Sequence, residues 1–308
     1  MNKIAMLKKI REIYDRGDNI IQYLKQNDWN SPNTIEDIMI SYDFQAGEYT
    51  SYYYNNQQEY RDKAGKIKSY ITEMGCDVQS IFEAGVGEAT ILVSLLNLID
   101  KRFDWIGGVD LSWSRVKTAQ KFANKELLND YKIHLYVGDM FCLPLKDSSI
   151  DIVYTVHALE PNGGKEKEIL KELYRVTRKY MILIEPSYEL ANEKGKKRMI
   201  KNGYIRGLKD CALSLGYKIV KYEPFEIDCE PMNPAAVMII EKVVREKNIV
   251  NPLACPVTKS DLRRVANVFY SDESMLSYPI IDGVGCLTKE NAVITTKIMN
   301  YNSVINNL

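Results

Sequence analysis

The stretch Ile81-Phe82-Glu83-Ala84-Gly85-Val86-Gly87-Glu88-Ala89-Thr90, followed by Gly107-Gly108-Val109-Asp110, decides the fold. Apolar residues run into a turn of small residues. Ile91, Leu92, Leu95, Leu96 and Ile99 then leave it at helical spacing. That order predicts a strand, a glycine loop and a helix. A second predicted strand, 105–109, ends in Asp110, 23 positions after Gly87 (110 − 87). Glycines in such a loop let the backbone approach a ligand closely. An acid ending the second strand accepts hydrogen bonds from ribose hydroxyls.

A dinucleotide site prefers G-x-G-x-x-G, with its pyrophosphate at the helix N-terminus. Here Thr90 stands at the third glycine position, and the acid Glu83 precedes the first. An anion is poorly served beside Glu83 and Glu88, whereas a cation is favoured there. S-adenosyl-L-methionine fits, with a sulfonium, an amino group and no phosphate. A third predicted strand, 133–137, ends in Gly138-Asp139-Met140, an acid and an apolar neighbour suited to the adenine amino group and ring. Leu143-Pro144-Leu145 follows, and Asp147-Ser148-Ser149 leads into a strand at 150–156.

Over roughly residues 78–243 this run resembles the class I S-adenosylmethionine-dependent methyltransferases. The resemblance implies an α/β, Rossmann-like, seven-stranded sheet. It implies that Glu83, Ala84, Gly85 and Gly87 form the methionine-side loop and that Asp110 holds the ribose. Leu111 then lies beside the adenine, which Asp139 and Met140 hold. A nucleotide-free or NAD-binding Rossmann-like domain is the competing reading.

The chain has 308 residues, enough for one large domain plus a small one, and balances 41 basic against 41 acidic residues. No global basic field exists to attract nucleic acid, so a small-molecule substrate is expected. Lys194, Lys196, Lys197, Arg198, Lys201 and Arg206 nevertheless cluster in one segment, as a local patch or a solvated helix face. The six cysteines include no C-x-x-C pair, so neither a disulfide framework nor a zinc site is expected. Charges at Lys3, Lys8, Lys9 and Arg11 make the N-terminal stretch an amphipathic helix rather than a signal peptide. No apolar run approaches the ~20 residues of a membrane span. A reducing, cytoplasmic setting is the expectation.

Residues 1–77 precede the first core strand and read as helical. Ile4, Leu7, Ile10, Ile13 and Tyr14 keep helical spacing, Ser31-Pro32-Asn33-Thr34 interrupts, and a third helix covers 57–74. Between them lies a tyrosine-rich stretch with Tyr42, Tyr49, Tyr52, Tyr53 and Tyr54, too poor in aliphatic residues for a private core. It resembles the helical segment that closes over the cofactor in many small-molecule methyltransferases. There, aromatic faces such as that of Tyr49 attract a sulfonium, by about 0.5–2 kcal/mol per contact. Packing as ordinary amphipathic surface is the alternative.

A helix is expected at 166–177, a fifth strand at 181–184, a charged helical insertion at 188–215, and hairpin-like strands at 217–227 and 235–243. In this fold class the insertion lies at the carboxyl ends of the strands, where ligands bind. Arg245-Glu246-Lys247-Asn248 reads as a linker, and residues 244–308 as linker plus a small α+β domain. Leu253-Ala254-Cys255-Pro256-Val257-Thr258 and Tyr278 to Leu287 resemble the small activator subunit of tRNA and translation-factor methyltransferases. By that resemblance the unit packs against the methyltransferase sheet, supporting solubility or the substrate groove. Zinc-bearing members hold the metal with cysteine pairs. Thr258 stands here in place of a second cysteine, so no zinc is expected. A mere appendage is the alternative.

Methyl transfer from a sulfonium is an in-line displacement that needs alignment, desolvation and a competent nucleophile. A hydroxyl nucleophile is helped by a general base, usually His. Of the two histidines, His134 lies within a strand. His157 follows the fourth strand in Thr155-Val156-His157-Ala158-Leu159-Glu160-Pro161-Asn162, the strand end next to the transferring methyl in this fold. It is either that base or a residue packing on the cofactor. Glu185, ending the fifth strand before Pro186-Ser187-Tyr188, is placed to orient His157 or to act as a base. Glu160, Asn162, Tyr188, Arg198 and Tyr204 are candidate substrate contacts, the arginine for a carboxylate or phosphate. A divalent metal on His157, Glu160 and Glu185 is weighed, but no ligand spacing supports it, and none is assigned. The expected activity is methyl transfer to an O or N of a small polar metabolite: a sugar, nucleotide-sugar or secondary metabolite. Methylation of RNA or of a translation protein is the runner-up, and a non-catalytic scaffold the third reading.

Overall fold

The computed structural model describes residues 6–25, 32–75, 77–228, 230–242 and 250–299. Lys3, Ile4, Ser31, Cys76, Cys229 and the expected linker at 245–248 lie outside the described residues. The first element is α1 (Leu7–Asp15), followed by α2 (Ile20–Leu24), α3 (Ile35–Phe44), α4 (Glu48–Asn55) and α5 (Gln57–Glu73). Thr34 and Asp37 start α3 with reciprocal side-chain to backbone bonds, satisfying amides the helix itself leaves open. The N-terminal helices do bury a small cluster of their own, Ile10, Ile20 and Ile40 with Tyr14, Leu24 and Phe44 against it. Its buried members, one from each of α1, α2 and α3, lie outside the tyrosine-rich stretch, which has no buried residue in α4.

The body alternates strands and helices: β1 (Ser80–Ala84), α6 (Thr90–Leu98), β2 (Trp105–Asp110), α7 (Trp113–Glu126), β3 (Ile133–Val137) and β4 (Ile150–Val156). It continues through α8 (Glu166–Val176), β5 (Thr177–Pro186), α9 (Glu193–Asn202), α10 (Leu208–Ser214), β6 (Lys218–Pro224) and β7 (Ala235–Glu241). β1 pairs in parallel with both β2 and β4, while β7 runs antiparallel between β5 and β6. β1 and β2 are buried along their whole length, which is why they read as apolar runs rather than alternating ones. Strand order turns outward in both directions from β1 and β4. Their carboxyl ends therefore open the crevice in which this class of sheet binds ligands.

The sheet is larger than the seven strands the sequence implied. β8 (Arg263–Val265), β9 (Val268–Ser271), β10 (Leu276–Ile281), β11 (Val284–Cys286) and β12 (Val293–Ile294) join it. The order is β6-β7-β5-β4-β1-β2-β3-β11-β10-β9-β8, with β12 beside β10, twelve strands among the described residues. β11 docks in parallel on β3, Gly285 opposite Tyr136 and Cys286 opposite Val137. A Cβ on Gly285 would lie 2.6 Å from the Phe269 ring and 3.1 Å from that of Tyr136, so glycine alone lets these rings close over the junction. The described elements of this unit are strands and a 3₁₀ turn at Lys289–Asn291.

Its core is Leu253, Cys255, Leu262, Tyr278 and Leu287. The Cys255 thiol lies 3.1 Å from the Tyr278 hydroxyl and 3.6 Å from that of Ser274, and the Thr258 amide donates to it. Two hydroxyls and one backbone amide therefore surround the thiol. The described cysteines, 142, 211, 255 and 286, are free thiols.

Candidate functional site

A cavity of about 780 Å³ opens at the carboxyl ends of β1, β2 and β4. Gly85, Val86, Gly87, Glu88, Asp110 and Leu111 line one half of it; Met140 and Phe141 lie nearby, and His157, Glu160 and Asn162 line the other half. Ile38, Tyr42, Tyr49 and Tyr52 of α3 and α4 cover it. The expected residues Glu83, Gly85, Gly87, Asp110, Leu111, Met140, Tyr49, His157, Glu160 and Asn162 thus meet in one space.

Gly85 shows why the loop needs glycine. Its φ is +77°, and a Cβ there would lie 2.3 Å from that of Ala158, so two strand-end loops touch only because it has none. Behind the loop Glu83 is buried and accepts a 2.8 Å bond from the Tyr154 hydroxyl. Burial pushes the Glu83 carboxyl up to about 8; the Tyr154 bond opposes the rise and the Asp110 charge adds to it. Asp110 accepts from the Gly87 amide at 3.1 Å and the Ser112 amide at 2.9 Å, which locks its carboxylate against the loop.

Three groups that sequence reasoning missed bind the N-terminal helices to this frame. Glu88 accepts from the amides of Gly47 and Thr50, at the start of α4, at 2.8 and 2.7 Å. Asp43 accepts from the Ser112 hydroxyl at 2.6 Å and from the Ser114 amide and hydroxyl at 3.1 and 2.9 Å. Arg115 stacks its guanidinium 4.4 Å from the Tyr49 ring centre and 5.0 Å from that of Tyr42. Tyr53, by contrast, packs edge-on against Phe122, and Tyr54 bonds Glu126, both on α7.

At the opposite end His157 sits in the left-handed region, φ +50°, held by its amide bond to the Ile184 carbonyl. Its Nε2 donates to Asp228 Oδ2 at 3.0 Å, and its Nδ1 lies 4.0 Å from Glu160. Asp228 also pairs with Lys63 at 2.8 Å, which in turn reaches Glu59 at 3.0 Å. Burial disfavours the charged imidazole, but Asp228, Glu185 and Glu160 outweigh it and hold His157 above its ordinary value. Asp228 was not expected from the sequence, because a loop acid after an edge strand carries no local signal.

The remaining expected residues stand outside the cavity wall. Glu185 is buried and accepts from the amides of Ala158 and Leu159, both at 3.1 Å. It shapes the turn behind His157 rather than facing a ligand, and burial raises its carboxyl to about 7. Asp139 is buried and accepts from the Phe141 amide, bracing its own turn. Ala84 is enclosed within β1. Tyr204 lies beside Glu160 and under the Arg198 guanidinium, 5.4 Å from ring to cation, while Tyr188 stacks with Lys196. The basic residues of α9 do not line the cavity. His134 stacks on Trp105, away from it. Among the described residues no group of three His, Cys, Asp or Glu side chains is placed to hold a metal ion.

Comparison with known proteins gives partial matches. Residues 81–180 match a family described as a methyltransferase domain. Norajmaline N-methyltransferase of Rauvolfia serpentina is 39% identical over 69 residues, covering 22% of this chain and 23% of that enzyme. The chain thus matches less than a quarter of that relative. Among solved structures, magnesium protoporphyrin IX methyltransferase of Synechocystis PCC 6803, with bound S-adenosylhomocysteine, superposes with a TM-score of 0.49 at 12% identity, over 77% of this chain and 99% of that one. A SAM-dependent methyltransferase from Methanosarcina mazei does so with a TM-score of 0.47 at 19% identity, over 57% and 98%. No helix among the described residues is long and apolar enough to cross a membrane.

Proposed function

We propose that this chain transfers a methyl group from S-adenosylmethionine to an O or N atom of a small polar metabolite. The observation that carries the reading is the continuity of one cavity, from the Gly85–Asp110 frame to the His157–Asp228 pair, beneath the tyrosines of α3 and α4. The Gly85–Asp110 frame would hold the cofactor, whose sulfonium would supply the methyl group to an acceptor at the His157 end. His157 Nδ1 takes the acceptor proton while Asp228 holds the ring by Nε2. α3 and α4 act as the lid that excludes water.

An amine acceptor suits the wall better than a phosphorylated one. Glu59, Glu160, Asp228 and Glu230 line the His157 end, against Lys63 and His157 itself. A sugar diphosphate meets like charge there, whereas an ammonium is attracted and gives up its proton before attack. The partial match to an N-methyltransferase points the same way. We also assign the unit at 250–299 the part of a built-in activator. Its support is the β11–β3 pairing, together with two bonds that tie the 142–146 loop to residues 252–254: the Lys146 amide donates to the Pro252 carbonyl and the Ala254 amide to the Pro144 carbonyl.

Methyl-labelled S-adenosylmethionine incubated with a panel of amino sugars, alkaloid-like amines and hydroxyl metabolites tests the reading. Label transfer to a small molecule, lost in His157→Ala, supports it. Transfer only to RNA or protein overturns it.

A further inference from the structure

Arg115 is the least satisfied charged group of the cavity. It is 7% exposed, yet its Nε has no hydrogen-bond partner. Among the described residues its one ion partner is Asp110, at 3.8 Å, whose oxygens already accept from the Gly87 and Ser112 amides. Tyr42 and Tyr49 flank the guanidinium but offer it ring faces, not lone-pair acceptors in line with its N–H groups. Burying such donors without acceptors is costly, and a guanidinium matches a carboxylate through two parallel bonds. The group therefore stands ready for an anion that enters with a ligand.

Its neighbours say which anion. Arg115 lies against Gly87, where an added Cβ would sit 3.2 Å from its terminal nitrogen, and beside Asp110. Both belong to the cofactor half of the cavity, away from His157 and Asp228. We propose that Arg115 recognises a carboxylate in this cavity, that of the amino-acid end of the bound cofactor. The proposal rests on the S-adenosylmethionine reading. It makes the latch on Tyr42 and Tyr49 ligand-dependent, because the same guanidinium then joins helix α7, the lid and the cofactor.

Calorimetry with S-adenosylhomocysteine and with its decarboxylated analogue, which keeps the amine and the adenosine, tests it. Wild type is expected to prefer the carboxylate-bearing ligand by about tenfold or more, the worth of a charge-assisted pair. Arg115→Met removes that preference, so that both ligands bind with the same affinity, and its circular dichroism spectrum and melting transition show that the variant is folded. Arg115→Lys retains part of the preference. A preference that survives undiminished in Arg115→Met, or no preference in wild type, overturns the proposal. Should the acceptor's own carboxylate be the partner, wild type shows no preference between the two ligands. Wild type that binds neither ligand instead overturns the cofactor reading itself.

Discussion

His157 Nε2 lies 3.0 Å from Asp228 Oδ2, joining the loop after β4 to a loop 71 residues further along the chain. The pairing fixes which nitrogen faces the cavity and raises the imidazole above its ordinary value against the pull of burial. A base in this position works only when neutral, so kcat/KM rises with pH through the raised His157 value. Asp228→Asn is expected to move that rise to lower pH, since it removes one of the negative charges that favour the imidazolium. His157→Ala abolishes the rise and slows turnover about 100-fold or more. The same raised value stabilises the fold below the ordinary histidine pKa. That contribution disappears as pH climbs through the folded-state value, and Asp228→Asn removes it.

Glu83 gives a second pH signature. Burial raises its carboxyl to about 8, so the empty protein carries it mostly protonated at neutral pH. A cofactor bringing a sulfonium and an ammonium to this loop favours the ionised form. Binding near pH 7 is therefore expected to release protons. Titrations in buffers of different ionisation enthalpy will show this, and the release should fade above the Glu83 value. Tyr154→Phe deletes the donor that steadies the carboxylate and weakens binding.

Asp43 ties α3 to the start of α7 through three bonds to Ser112 and Ser114. Asp43→Ala leaves those donors without their acceptor, at a cost on the order of 1–3 kcal/mol. Hydrogen exchange over 35–55 should rise in this variant and cofactor affinity fall, while the sheet strands keep their protection.

Gly285 tests the C-terminal junction. Gly285→Val drives a side chain into the Phe269 and Tyr136 rings that close over β11. Overpacking of this kind costs about 1–3 kcal/mol and exposes the β3 edge. Lower thermal stability with a greater tendency to aggregate is the expected outcome, and chelators are expected to leave it unchanged.

That Glu83 to Thr90 and Asp110 would meet at one cavity was legible because their placement is local: each sits at a strand end with a helix behind. Tyr49 was legible as aromatic enrichment. Arg115 and Asp228 were not, since a basic residue in the first turn of a helix and an acid in a loop are ordinary until the fold brings their partners near. Glu185 misled for the opposite reason. A strand-end acid reads as catalytic, but here the amides of Ala158 and Leu159 claim it. The extended sheet escaped notice because β11 has three residues, too few to show alternation.

Calorimetric titration of wild type and Asp110→Ala with S-adenosylhomocysteine, with NAD as the comparison, tests the cofactor assignment most directly. Micromolar binding of S-adenosylhomocysteine alone is expected. Asp110→Ala should lose roughly 2 kcal/mol or more, about 30-fold, with its charge-assisted bonds. Preference for NAD, or undiminished affinity in Asp110→Ala, would contradict it.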